Sequence, residues 1–491
     1  MTTSSSGAAP DSLRQHPLLG TDNAALALAV VLMLLQLRGG TVGELAALVA
    51  VPLLALMTFL ADRRYIPAIL VLCIPTVGIL TQPTLGAFDF PETVSRVVLA
   101  GVEVHGPLVV ITSAFGRVCV ELLRGGRAIP GVLPRWLILG FLVALMPTIL
   151  GGLLGQSAGL NQWSIGVRAM LAIGGLFWGV LVAHRARGNP RRLVRQLCTV
   201  VTVGAALVLV RFVSDMYVFL LMGMSGGLLP YFVARRRLLE AGILLGAALV
   251  GALAISLTTA AEVVVALGCV MLATVRTPGL GKWLLRSAVA AGLATSVMLI
   301  WVVRQLQGRM LVEFATRADG VVAFGTMKLL GDRGPLWLAA MQQIVSGPYL
   351  IVPAGRSLRP DNFNYGYIVY LWDYGAHNTF LELLRHVGLI AGAMGIAMML
   401  YALVRVVQVL SDTRVGALRG LAAGVVGVAV PGMTTGNFPI YDVGFFLWAM
   451  AGMVITTHLA FRAADSPDEL ADDSGSDGTT LAPAPVLAGH A

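Results

Sequence analysis

Apolar runs, many of them close to 20 residues long, recur from end to end of the chain, set apart by short polar turns. They fall near 24–37, 41–60, 65–81, 97–123, 136–155, 165–183, 196–213, 215–234, 238–257, 259–275, 287–303, 386–410, 420–435 and 443–461. A helix needs about 20 predominantly apolar residues to cross a hydrocarbon core roughly 30 Å thick, and most of these runs approach that length. The pattern predicts an all-α fold, a polytopic membrane protein of about 12–14 transmembrane helices with one large helical extracytoplasmic loop.

The rhythm breaks once. From 304 to 385 the chain is largely polar and carries Trp337, Trp372 and several tyrosines. LWLAAMQQIV (336–345) has helical periodicity, so an ordered subdomain is expected here rather than a loose connection. The resulting division is a disordered cytoplasmic N-terminus (1–22), N-terminal transmembrane helices (23–303) and the extracytoplasmic loop (304–385). C-terminal transmembrane helices (386–461) and a disordered acidic cytoplasmic tail (462–491) complete it.

Composition sharpens the class. Of the 491 residues, 57% are hydrophobic and 12% charged, about half the charged share of a soluble globular chain. The net charge of +9 does not point to nucleic acid, because the basic residues concentrate in short turns. These are ADRR (61–64), RGGRAIPGVLPR (124–135), HRARGNPRRLVR (184–195), ARRR (234–237), RTPGLGKWLLR (276–286) and the segment holding Arg405, Arg414 and Arg419. They alternate with turns such as QSAGLNQWS (156–164) and GNFPIYD (436–442), which have no Lys or Arg. With the basic turns inside, both termini are cytoplasmic and the helix count is even. The preference for Arg over Lys and the Ala/Gly richness point to a bacterial cytoplasmic membrane.

Cys73, Cys119, Cys198 and Cys269 all lie within apolar runs and are read as small apolar residues, neither a disulfide nor a metal site. There is no Walker A loop, His-Glu-x-x-His, GxSxG or dinucleotide fingerprint, and no cofactor is expected. The glycines of GMSGG (223–227) are expected to serve close helix packing.

Candidate chemistry gathers in Gly331–Gly392. Arg333 opens a short amphipathic helix that ends at Gly347-Pro348, and Arg356 and Arg359 flank a Gly/Pro-rich turn. His377 and Asn378 then lead a helical run with Phe380, Leu381, Leu384 and Gly388 at helical spacing. Guanidinium groups match phosphate oxygens, and an imidazole takes a proton from a hydroxyl near neutral pH. Such a set suits a membrane-borne phosphate or diphosphate attacked by an alcohol. His386, nine residues beyond His377, is expected to be an interfacial packing residue that forms no pair with it. Further ionisable residues lie in or beside apolar runs: Glu103, His105, Arg117, Arg168, Arg211 and Glu262. Charges there are costly and usually face a polar cavity or a partner. Glu103 and His105 sit in mid-run beside Pro107, where a broken helix would line a cavity.

The order of these features resembles the O-antigen ligase and O-antigen polymerase superfamily of membrane glycosyltransferases. It runs from Asp332-Arg333-Gly334-Pro335-Leu336-Trp337 through Gly347-Pro348 to Ala376-His377-Asn378 and Gly388-Leu389. His377 and Gly388 are separated by ten residues, similar to the family's His-X10-Gly pattern. The resemblance implies a metal-independent enzyme whose partners are a polyprenyl-diphosphate-linked glycan donor, a glycan or lipid acceptor and membrane lipids. It makes His377 the base, and Arg333 with Arg356 or Arg359 the groups that neutralise the diphosphate. Asn378 and Glu382 would orient the histidine or the acceptor, and Glu103 and His105 would line the lipid-glycan site. The family's hairpin arginine is replaced by alanine in SLTTAAEVVVAL (256–267), at Ala260 or Ala261; either another basic residue substitutes, Arg211 being the best candidate, or the donor differs, or the chain keeps the fold without the activity. Two other classes stay open: a lipid-linked oligosaccharide flippase, and a glycosyltransferase using a polyprenyl-monophosphate sugar with Asp89 or Glu92 as its acid.

Overall fold

The computed structural model describes residues 21–38, 40–73, 96–99, 102–153, 160–209, 215–254, 344, 378–435 and 442–464. Its helices, in chain order, begin with α1 (Thr21–Leu37), α2 (Gly40–Leu60), a 3-10 turn (Arg63–Tyr65) and α3 (Ile66–Cys73). Two strands follow, β1 (Arg96–Leu99) and β2 (Val102–His105), and then α4 (Gly106–Leu123), α5 (Arg135–Leu153), α6 (Leu160–Ile173) and α7 (Gly175–Arg185). Next come α8 (Pro190–Leu209), α9 (Asp215–Ala234) and α10 (Leu238–Ala254). The C-terminal group is α11 (Thr379–Val387), α12 (Leu389–Asp412), α13 (Gly416–Thr435) and α14 (Asp442–Ala464). Most of the loop expected at 304–385, the runs near 259–275 and 287–303, and residues 1–20 and 465–491 lie outside the described residues, while 21–22 and 462–464, expected in the disordered tails, belong to α1 and α14.

Among the described residues, eight helical segments are long and apolar enough to cross a membrane: α2, α4, α6 with α7, α8, α9, α12, α13 and α14. The protein is a multi-pass α-helical membrane protein. α6 and α7 join through Gly174 into one crossing. Local chemistry sets several boundaries. Asn189 accepts from the Arg192 amide at 3.1 Å and Pro190 occupies the first helical position of α8, where its missing N–H costs nothing.

One predicted run is divided. The segment expected as a helix over 97–123 starts as an antiparallel ribbon, with Arg96 opposite His105, Val97 opposite Val104, Val98 opposite Glu103 and Leu99 opposite Val102. Val-Glu-Val-His has a period of two, valine suits extended backbone, and Pro107 fits the first turn of a helix better than its middle. Glu103 and His105 are therefore strand residues ahead of α4, and not part of a broken helix.

Side-chain contacts fix the helix directions. The Arg185 guanidinium donates to the Leu60 carbonyl and lies 4.0 Å from the Glu121 carboxylate, and Arg63 donates to Gln196 at 3.2 Å. The ends of α2, α4 and α7 and the start of α8 thus meet at one end of the bundle. Arg117, seven-tenths along α4, is buried, pairs with Glu121 at 2.9 Å and lies over the Phe59 ring. Tyr401 contacts the Val132 carbonyl and Gly140 abuts Met394, so α5 and α12 run antiparallel. Tyr231 abuts Gly416, and Arg462 pairs with Asp412 at 2.9 Å. Five of the six basic turns consequently share one end; the sixth, at 276–286, lies outside the described residues.

Two glycine-lined crossings hold the centre. Gly175 and Gly179 of α7 face the Phe445 and Ala449 carbonyls of α14, and Gly452 returns the contact toward Leu176 and Val180. In the second, Gly227 of the GMSGG segment faces the backbone of Gly420 and Gly424 on α13, as its composition predicts. A methyl group at Gly227 would strike backbone atoms, which cannot rotate away. Gly227→Ala is expected to destabilise the protein by about 1–3 kcal/mol, whereas Gly242→Ala, on an open surface of α10, leaves it unchanged. Thermal unfolding of both variants in one detergent checks this.

Candidate functional site: a buried Glu-Arg-His cluster on α11

The nine-residue helix α11 starts at a side-chain cap. Asn378 has extended backbone, and its Oδ1 accepts from the Phe380 and Leu381 amides at 3.0 and 3.1 Å. Glu382 stands in the first turn and Arg385 and His386 in the last, each near the helix end whose partial charge favours it. Spacings of three and four residues put these side chains on one face. Arg385 Nη2 donates to Glu382 Oε2 at 2.6 Å, and His386 Nε2 lies 2.7 Å from the same oxygen.

The cluster is enclosed. Glu382, Arg385 and His386 are 0%, 3% and 4% exposed, packed between α6, α12 and α13. Burial alone would push the Glu382 carboxyl up. The hydrogen bond from His386 and the adjacent Arg385 and His386 charges outweigh it and bring the group down to about 2. An ionised carboxylate only accepts hydrogen bonds, so the proton between the two lies on His386 Nε2. His386 Nδ1 is buried and has no hydrogen-bond partner among the described residues.

Gly388 explains how a short helix reaches this position. Its φ of +86° and ψ of 169° form a conformation essentially confined to glycine, and it serves both as the end of α11 and the start of α12. The chain reverses there and α11 folds back along α12. Gly392 lies against Leu384, and Gly395 against Leu383. Two further contacts lock the helix: Thr379 Oγ1 donates to the Gly432 carbonyl of α13 at 3.1 Å, and Gly166 of α6 abuts the His386 carbonyl. Gly166 precedes Arg185 by 19 residues, about 28 Å of helix, so the cluster occupies the end of the bundle opposite the basic turns.

Of the residues singled out from sequence, Asn378 and Glu382 come together on α11, the first as its cap and the second as the centre of its ion cluster. Glu103 and His105 lie in β2. His377, Arg333, Arg356, Arg359, Arg211 and Glu262 lie outside the described residues, as do Ala260 and Ala261. Arg168 is half-buried on α6. His386 requires a correction. It is a buried, carboxylate-bound residue and not an interfacial packing residue, because the reversal at Gly388 turns its face into the bundle. Arg385 was also missed. The signal was present in Glu382-x-x-Arg385-His386, since ionisable residues three and four apart on a helix pair directly.

No family model matches the chain, and a search of curated proteins finds no significant relative.

Removing Glu382 would take from the buried Arg385 guanidinium the carboxylate it pairs with at 2.6 Å. Glu382→Gln is expected to cost about 3–5 kcal/mol, and adding Arg385→Met to recover part of that loss. The Glu382 carboxyl is lower in the folded chain than in the unfolded one. Its stabilisation is therefore complete above its ordinary value of 4.5 and fades as pH falls toward about 2. The gap between the melting curves of wild type and Glu382→Gln should accordingly be full above about pH 5, narrow as pH falls below that and close only near pH 2.

Proposed function

We propose that the protein is a cell-envelope polysaccharide ligase or polymerase. It transfers a glycan from a polyprenyl-diphosphate carrier to an acceptor hydroxyl on the outer face of a bacterial cytoplasmic membrane. The observation that carries this reading is the α11 element, which begins two residues after His377 and holds a buried Glu-Arg-His cluster at the bundle end remote from the basic turns. With the basic turns inside, as the positive-inside rule requires, that end faces outward and both termini are cytoplasmic. Ionisable groups enclosed at such a position are costly, so a functional role is the default reading of this cluster, which holds α11 in place.

In this mechanism His377 takes the proton from the acceptor hydroxyl as its oxygen attacks the anomeric carbon of the donor glycan. The bond from that carbon to the diphosphate breaks and the electron pair leaves with the polyprenyl diphosphate. Arg333, with Arg356 or Arg359, neutralises the negative charge gathering on the leaving group. Asn378 caps α11 and Glu382 anchors it, so both act by positioning the start of the helix.

His377→Ala should lower glycan transfer by about 10²–10⁴-fold while leaving insertion and thermal stability at wild-type values. Transfer of a lipid-linked donor by purified protein measures this, and wild-type transfer by the variant would sink the reading. In cells lacking the protein, unpolymerised lipid-linked units indicate polymerase and finished unattached chains indicate ligase. Inward-facing precursors would instead indicate a flippase.

A further inference from the structure

The basic end of the bundle holds a second polar feature, independent of α11 and of the proposed reaction. Between the last turns of α12 and α14 lies a shallow recess that opens to its surroundings. Arg405, Gln408 and Asp412 line it from α12, and Ile455, His458 and Arg462 from α14. On each helix the three positions follow a spacing of three then four residues, which brings both sets onto facing stripes.

Among the described residues, two arginines, one histidine and one carboxylate line the recess. Its carboxylate is already engaged: Asp412 Oδ2 takes Arg462 at 2.9 Å and Oδ1 takes the Ser411 hydroxyl at 2.8 Å. Arg405 has no carboxylate among the described residues; its Nη1 donates to the neutral Gln408 side chain at 2.8 Å, and its Nε is buried and unpartnered there. His458, 7% exposed, faces the same space. A guanidinium with spare donors, an imidazole and an amide around one opening are built to receive an anion with several oxygens.

Depth narrows the choice. Arg405 precedes the end of α12 by seven residues, about 10 Å along the helix, so the recess opens beside the membrane surface and not far out in solvent. Basic pockets between transmembrane helices at the positively charged face are suited to anionic headgroups. We propose that this recess binds a phosphate group, with Arg405 as its principal ligand and His458 and Arg462 completing the shell. The phosphate can belong to an anionic lipid headgroup or be free in solution, since the same donors recognise both.

The test uses the delipidated full-length chain in neutral detergent, titrated separately with phosphatidylglycerol, phosphatidylcholine and inorganic phosphate, with binding read by native mass spectrometry and thermal shift. Saturable binding of phosphatidylglycerol that weakens about tenfold in Arg405→Gln, and is unchanged in Arg414→Gln, supports a headgroup site. Arg414 is the control because it is exposed in the neighbouring turn and outside the recess. The same dependence on Arg405 with inorganic phosphate supports a site for free phosphate. Equal weakening by the two substitutions means diffuse surface attraction and overturns the proposal, as do an Arg405→Gln variant that binds like wild type and a preference for phosphatidylcholine. Should Arg405→Gln fail to fold, His458→Gln is read by the same criteria.

Discussion

In hydrocarbon, two apolar helices gain little by covering each other, because lipid tails are as apolar as leucine. Their association depends on how closely the backbones approach. The α7–α14 and α9–α13 crossings meet that condition with glycines facing backbone atoms of the partner. Dispersion contacts at such separations replace the hydrophobic drive that a soluble bundle would use. Large side chains complete these contacts: the Trp178 ring lies tilted against Phe445, centroids 5.7 Å apart, and its indole N–H donates to the Thr58 carbonyl at 2.9 Å, tying α2 to α7.

That framework makes room for charge at its two ends in different ways. At the basic end, arginines at helix termini are mostly exposed or half-buried and engage carbonyls, carboxylates and amides of neighbouring helices, as Arg185 does with Leu60 and Glu121. At the other end a complete ion cluster is withdrawn from solvent. Burying Glu382 and Arg385 removes the hydration of both, and their mutual attraction with the His386 hydrogen bond offsets the loss only while all three remain together. The cluster thus resists any rotation of α11 that would separate its members, and Gly388 and the Thr379–Gly432 bond hold the helix in that orientation.

The proposed function of the bundle end remote from the basic turns therefore rests on positioning. A base next to a membrane surface must be held at a set depth and direction relative to a lipid-borne donor, and proximity of that kind supplies much of the barrier reduction in transfer reactions. α11 is short, capped by Asn378 and braced against three helices, so its own first turn is held in one place.

Much of this could be read from local pattern. The apolar runs marked the eight crossings found among the described residues, the distribution of arginine marked which of the described turns share an end, and GMSGG announced a close crossing. Spacing along α11 also determined which ionisable side chains are able to touch. Tertiary structure alone decided what surrounds them. His386 looks interfacial in sequence, and it is enclosed because the reversal at Gly388 lays α11 between α6, α12 and α13. The ribbon at 96–105 escaped for a related reason, since a valine-rich segment is compatible with either period until a partner strand is present. Sequence determined which groups are neighbours along the chain, whereas the fold decided the medium between them, because exclusion of water depends on elements far apart in sequence.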